Sequence, residues 1–152
     1  MELQGERPAA RRGADARGPA VAARGPAAAA SRCPCGGGTC YEDCCRPLHD
    51  GAAYAPTAVR LMRSRYSAFA LRQPQYLLDT WHPSTRPPTL ELDPEVRWTG
   101  LEIVSTRGGS LLEQRGTVEF HASYSRGRER GVQHENSRFV RVNSRWLYVG
   151  AG

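Results

Sequence analysis

The stretch "TVEFHASY" at residues 117–124 decides the fold class, because its side chains alternate strictly between apolar and polar. The apolar or aromatic positions are Val118, Phe120, Ala122 and Tyr124. The polar positions between them are Thr117, Glu119, His121 and Ser123. Successive side chains of a β-strand point to opposite faces of the sheet. The pattern therefore predicts a strand with one face on a core and the other face in solvent.

The segments on either side of this strand are also predicted to be strands, and they are separated by turn sequences. Before it come the strand "RWTGLEIVST" and the turn "RGGS", and the predicted second strand begins at Leu111. After it come the turn "RGRERG", the strand "VQHENSRFVRV", the turn "NS" and the last strand "RWLYVGAG". Strands joined by such short turns predict an antiparallel meander.

Helical patterns precede the strands. In "TAVRLMRSRYSAFALR" the apolar residues recur at helical spacing, at Val59, Met62, Tyr66 and Phe69. Thr57 is a suitable N-cap, and Pro74 suits the first turn of a second, short helix, "PQYLLDTW". Helices followed by an antiparallel meander predict the α+β class, with the helices packed on one face of a curved sheet.

All five cysteines lie in "CPCGGGTCYEDCC", residues 33–45. A C-x-C pair and a C-C pair stand at the two ends of a glycine-rich loop, a pattern that suits a structural zinc ion with tetrahedral thiolate ligands. An odd number of cysteines argues against disulfides, while redox-active thiols and iron–sulfur ligation stay open. Two questions about the ligands also stay open: whether Cys40 replaces one of the four cysteines, and whether His49 substitutes for Cys45.

Charge and composition bear on whether the protein binds nucleic acid, spans a membrane or is secreted. The net charge is +6, and all 21 basic residues are arginine. Residues 33–152 hold fifteen arginines and twelve acids in mixed order, so nucleic-acid binding is the less favoured interpretation. Residues 1–31, rich in alanine, arginine, glycine and proline, predict a disordered tail. No apolar run is long enough for a membrane span and no secretion signal is seen, so we expect a cytoplasmic protein.

The cysteine segment resembles the SEC-C motif, which reads C-x-C, eight residues, then C followed by C or H, and which binds zinc. The motif also occurs at the C-terminus of the translocase motor SecA. The resemblance implies Zn²⁺ as cofactor and leaves Cys40 on a free position. The ligands it implies are Cys33, Cys35, Cys44 and Cys45.

The remaining sequence resembles the YchJ-like family of bacterial proteins. The similarity is carried by "LMRSRYSAFALRQPQYLLDTWHPS" and "ENSRFVRVNSRWLYVGAG". It implies a SEC-C zinc motif at residues 32–50, followed at residues 54–150 by a domain with the nuclear-transport-factor-2-like (NTF2-like) cone fold. It implies no particular reaction. By analogy with SecA we expect a protein partner to bind the zinc motif, and this fold commonly forms homodimers through its sheet.

Cones of this type often enclose a cavity between helices and sheet. The candidates for such a cavity are Arg63, Tyr66, Trp81, Glu119, His121 and His134. If the strand face of Glu119 and His121 is concave, the two form a carboxylate–imidazole pair suited to proton transfer, and if it is convex they are solvated. His134 and Glu135 point to opposite faces, so at most one of them lines a cavity.

Two hypotheses about function follow. The favoured one is a zinc-binding protein without enzymatic activity that binds a protein partner or a ligand. The alternative is a small isomerase- or dehydratase-like enzyme that performs acid–base chemistry in the cone.

Overall fold

A computed structural model describes residues 31–152. The predicted tail at residues 1–31 lies outside the described residues, apart from Ser31. Among these residues, a 3-10 turn at Tyr41–Asp43 precedes the regular elements. These are helices α1 (Arg46–His49), α2 (Ala58–Ala70) and α3 (Pro74–Asp79) and strands β1 (Val96–Gly108), β2 (Arg115–Arg126), β3 (Glu129–Val142) and β4 (Arg145–Ala151). None of these helices is both long and apolar enough to cross a lipid bilayer.

The four strands form one antiparallel sheet in the order β1-β2-β3-β4. The β2–β3 connection is only Gly127 and Arg128, shorter than the predicted turn "RGRERG". The β3–β4 turn is Asn143-Ser144 as predicted, and both residues have positive φ, at 52° and 68°. Two consecutive left-handed residues match the right-handed twist of the strands that they join.

The second strand begins later than the sequence predicts. Leu111 lies in the loop at residues 109–114, and β2 starts at Arg115. Gly109 N donates to Arg115 O at 2.8 Å and closes this loop. A Cβ on Gly109, whose φ is +80°, would come within 2.7 Å of the Ala58 Cβ. The loop is therefore held against the start of α2 by a contact that only glycine allows.

Helix α2 begins as predicted, since the Thr57 hydroxyl accepts a hydrogen bond from Arg60 N at 3.2 Å. Of the predicted stripe, Met62, Tyr66 and Phe69 are buried and Val59 is partly buried. Burial extends beyond that stripe to Leu61, Ser64, Arg65, Ser67 and Ala68. An isolated amphipathic helix would expose these positions, so α2 must have neighbours on more than one side.

Those neighbours are the sheet on one side and the cysteine segment on the other. The sheet contributes its inward residues, Val118, Phe120, Ala122, Phe139, Trp146 and Tyr148. The end of α3 joins β4, because Tyr148 N donates to Thr80 O and His82 N donates to Tyr148 O, each at 2.8 Å. The cysteine segment packs on the opposite side of α2, next to Ser64 and Ser67.

Candidate metal centre

We use "cysteine knuckle" for residues 32–50. A tight turn holds its first two cysteines: Gly36 N donates to Cys33 O at 3.2 Å, and Cys33 N donates to Thr39 O at 3.0 Å. Gly36 and Gly38 have φ of +78° and +97°, which disfavours any residue with a Cβ. A Cβ on Gly37 would lie 3.3 Å from Cys35 Sγ. The glycine run thus lets the backbone pass close to the sulfur atoms.

The second pair of cysteines follows the 3-10 turn. Cys44 N donates to Tyr41 O at 3.0 Å, and Cys45 directly precedes α1. This turn brings the chain back so that Cys44 and Cys45 face the first pair. The loop of eight residues between the pairs is therefore long enough to reverse the chain and close the cluster.

Four sulfur atoms converge in the knuckle. All lie within 4.8 Å of one another, and Cys35 Sγ and Cys44 Sγ are 3.5 Å apart. Cys44 is partly buried and the other three are buried. Among residues 31–152 this is the group of histidine, cysteine or carboxylate side chains whose ligand atoms converge closely enough to hold a metal ion. The predicted set is therefore brought together as Cys33, Cys35, Cys44 and Cys45.

The sulfur atoms also perturb one another's ionisation. Hydrogen bonds from the thiols of Cys35 and Cys45 hold the pKa of Cys33 far below that of an ordinary thiol. The same contact with Cys33 raises the pKa of Cys45 and the pKa of Cys35. Thiolates at this distance repel one another, so the sulfurs share protons unless a cation neutralises them. A metal ion that displaces these protons would convert all four to thiolates.

The two ambiguous residues lie outside this cluster. The Cys40 thiol donates to Asp43 Oδ2 at 3.4 Å. His49 Nε2 lies 2.8 Å from the carbonyl oxygen of Ser64, which can only accept, so Nε2 carries the proton. His49 Nδ1 then accepts from the Tyr41 hydroxyl at 2.8 Å. With both ring nitrogens engaged, His49 fixes the knuckle to α2 instead of ligating a metal.

Two arginines of α2 bind the knuckle. Arg60 Nη2 donates to Cys44 O, and Arg60 Nη1 lies 3.5 Å from Cys45 Sγ. Arg63 Nη1 donates to Cys35 O at 2.8 Å. The predicted cavity residue Arg63 therefore faces the knuckle, and Arg60, which the sequence analysis did not single out, contacts the sulfur atoms. Their spacing of three residues, on one face of a helix next to a cysteine motif, is the signal that could have found Arg60.

The remaining cavity candidates divide between the two faces of the sheet. Tyr66 and Trp81 are buried on the helix side, where the Trp81 ring packs on Tyr148. Glu119, His121 and His134 lie on the opposite face. The structure therefore places these three cavity candidates outside the cone, which for Glu119 and His121 is the solvated alternative, because strict alternation sends Val118 and Phe120 inward and these three outward. Carboxylate–imidazole pairs do form there, but Glu119 pairs with His134, at 2.6 Å, and His121 with Glu102.

The inward residue of the His134–Glu135 pair is Glu135. Its carboxylate accepts hydrogen bonds from Ser137 Oγ at 2.7 Å, Tyr148 OH at 3.0 Å and Gln133 Nε2 at 3.0 Å. Among residues 31–152, Glu135 is the carboxylate buried in the core, so it is the carboxylate candidate for acid–base chemistry inside the cone. The period-2 pattern of β3, which places Ser137 and Phe139 on the same face, is the signal that distinguishes it.

Arg65 of α2 is also buried inside the cone. Its guanidinium lies over the Tyr148 ring at 4.4 Å and near the Trp81 ring at 5.2 Å. Nη1 donates to Leu77 O and Thr80 Oγ1, each at 2.8 Å. The aromatic faces and the end of α3 therefore make a buried position favourable for an arginine.

Comparison with known proteins identifies the family. A family model described as the YchJ, middle NTF2-like domain matches residues 57–151. The chain belongs to the YchJ-like family. A UPF0225 protein of Streptomyces coelicolor is 57% identical over 117 residues, which cover 77% of this chain and 91% of that protein. A UPF0225 protein of Chromobacterium violaceum is 50% identical over 124 residues, or 80% of this chain and 92% of that protein.

Solved structures agree with the YchJ-like assignment. A SEC-C motif containing protein from Rhodopseudomonas palustris is 32% identical and superposes with a TM-score of 0.69, covering 79% of this chain and 96% of that one. A SEC-C motif containing protein from Psychrobacter arcticus is 31% identical and superposes with a TM-score of 0.66, covering 81% of this chain and 82% of that one. The predicted family and the predicted α+β fold with an NTF2-like domain are confirmed.

Proposed function

We propose that this YchJ-like chain is a cytoplasmic zinc-binding protein that acts by binding a protein partner. The observation that supports it is the convergence of four cysteine sulfurs within 4.8 Å beside an arginine. Zinc–sulfur bonds of about 2.3 Å in a tetrahedron set neighbouring sulfurs about 3.8 Å apart. The sulfur–sulfur distances need to change by about 1 Å or less to reach that geometry.

All-sulfur ligation makes the zinc structural, because no coordination position is left for a substrate or water. Zinc with four thiolates carries a net charge of −2, and the Arg60 guanidinium beside Cys45 offsets part of it. The zinc would fix the shape of the knuckle against α2, and its exposed turn at residues 36–39 would be presented to the partner.

The metal is tested by elemental analysis of the purified chain. We expect one zinc per chain in the wild type, and loss of zinc in the Cys44→Ser/Cys45→Ser variant. Cys40→Ser is the matched control, because Cys40 lies outside the cluster, and it should keep the zinc. Iron with sulfide in place of zinc, or equal loss in Cys40→Ser, would refute the assignment.

The partner is tested with a variant that keeps the metal. Thr39 is exposed on the turn, so Thr39→Arg should retain zinc while it reduces capture of specific partners in an affinity experiment. Capture that depends on zinc but is unchanged in Thr39→Arg would locate partner binding elsewhere on the protein.

A further inference from the structure

A basic depression lies on the outer face of the sheet, far along the chain from the knuckle. It has a volume of about 600 Å³, and its lining comprises three arginines, two glycines, a threonine, a valine and a phenylalanine. We call it the arginine depression, and its defining residues are Arg107, Arg115, Arg138, Gly108, Gly116 and Thr117.

The strand register explains why the arginines meet. Thr117 on β2 is paired with Arg107 on β1 and with Arg138 on β3. Arg115 lies two residues before Thr117 on β2 and so points to the same face. That face is the outer one, because Val118, next to Thr117, is completely buried on the helix side.

The positive charge of the depression is not balanced locally. In the described part of the chain, no carboxylate lies within ion-pair distance of Arg107, Arg115 or Arg138. The nearest acid along β2, Glu119, is bound by His134 and Ser105. Glu113 of the adjoining loop accepts from Ser110. Arg138 Nε donates to the carbonyl oxygen of Ala151 at 3.4 Å. The three arginines thus line one concave surface without a carboxylate partner among the described residues, which favours an anionic partner.

Exposed apolar side chains lie at the same end of the sheet as the arginine depression. Leu111 and Leu112, on the loop that joins Arg107 to Arg115, are 58% and 87% exposed. Exposed leucines at the same end of the sheet as the arginines complement a segment that carries both carboxylates and apolar side chains. Single-stranded nucleic acid, by contrast, binds on exposed aromatic rings, and the aromatic residue at the depression, Phe139, is buried.

The neighbouring backbone can also take part. Strand β1 is an edge strand of the sheet, and every residue from Val104 to Gly108 is exposed. An extended segment that pairs with this edge would send alternate side chains to the outer face, next to Arg107. We propose that the arginine depression, with Leu111, Leu112 and the edge of β1, binds an extended acidic segment of a partner protein in which leucines alternate with carboxylates.

The test uses a short fluorescein-labelled peptide in which glutamate and leucine alternate. Fluorescence anisotropy at low salt should show binding to the zinc-loaded wild-type chain. The Arg107→Gln/Arg138→Gln variant should bind about tenfold more weakly or worse, since each charge-assisted hydrogen bond typically contributes tenfold or more. Arg97→Gln/Arg130→Gln is the matched control, because it removes the same charge from the same face at the other end of the sheet.

Several results would overturn the proposal. Equal weakening in both double variants would mean general electrostatic attraction. Equal binding of a peptide that alternates glutamate with serine would remove the role of Leu111 and Leu112. Preferential binding of oligothymidylate at the same arginines would make the surface a nucleic-acid site, and a chain dimer lost in Arg107→Gln/Arg138→Gln would make it a self-association surface. We expect these variants to keep their zinc, because the substituted arginines lie outside the knuckle. The peptide-binding proposal can therefore be refuted without refuting the proposal of a zinc site.

Discussion

Arg60 is the residue through which the helix acts on the metal site, because its guanidinium reaches a sulfur atom and a backbone oxygen of the knuckle. Arg60→Met keeps the alkyl stem and removes the positive charge. We expect zinc affinity to fall by about tenfold to a hundredfold, the usual effect of removing a group that hydrogen-bonds a metal ligand. Competition with a chromogenic chelator measures this change.

Arg63 provides the matched control for Arg60. It lies one helical turn away and donates to a carbonyl of the knuckle, not to a sulfur. Arg63→Met should therefore weaken the packing of the knuckle on α2 and leave zinc affinity closer to wild type. Equal losses of affinity in the two variants would show that Arg60 acts by packing and not by its charge.

His49 makes stability depend on pH. Burial lowers the pKa of His49 below its usual value. The unfolded chain then takes up a proton at a higher pH than the folded chain, so the stabilisation is complete above the unfolded pKa and is lost as pH falls toward the folded one. We expect His49→Gln to reduce the loss of unfolding free energy between about pH 7 and pH 5.

Urea unfolding of both proteins at the two pH values checks this prediction. The cysteines are the same in wild type and His49→Gln, so the difference between the pH dependences of their unfolding free energies gives the contribution of the His49 imidazole. Parallel slopes would mean that His49 takes up its proton over the same pH range in the folded and the unfolded chain, so that burial does not lower its pKa.

At the scale of elements, the β3–β4 turn is built from two non-glycine residues with positive φ. Ser144 at φ 68° carries a steric cost that glycine avoids, whereas Asn143 tolerates the left-handed region. Ser144→Gly should raise the free energy of unfolding by ~0.5–1 kcal/mol, measured by urea denaturation. Asn143→Gly should have a smaller effect, and a larger gain at Asn143 would contradict this account of the turn.

The positions of the helices and strands can be predicted from local sequence, but the burial of individual side chains within them cannot. Thr57, Pro74 and the alternation at residues 117–124 predict where α2, α3 and β2 lie, because caps and periodicity act within a few residues. The four-cysteine cluster is predictable for the same reason. Arg65 and Glu135 are different: their burial depends on Tyr148, which is distant in sequence from Arg65. The alternation at residues 117–124 predicts solvent on the face of Glu119, but whether that face is concave or convex could be assigned only from the packing of the helices on the sheet.

At the scale of the whole molecule, α2 is shared between the two parts of the chain. Ser64 and Ser67 contact the knuckle, while Tyr66 and Phe69 are buried toward Trp98 of the sheet. A helix that is buried on both sides loses part of its packing when either neighbour is disordered. The knuckle and the NTF2-like domain should therefore unfold as one cooperative unit when metal is bound.

Removal of the metal tests this coupling. A knuckle of this size has little core of its own, so its folding free energy depends on the metal. Chelation should expose the knuckle side of α2 and destabilise the NTF2-like domain by about 2–3 kcal/mol, or about 10–20 °C in melting temperature. Near-ultraviolet circular dichroism of Trp81, Trp98 and Trp146 follows the domain, and hydrogen exchange follows the α2 amides. Cys40→Ser should melt like wild type. A chelated chain whose domain melts at the unchanged temperature, with full protection of α2, would show that the knuckle is an independent appendage.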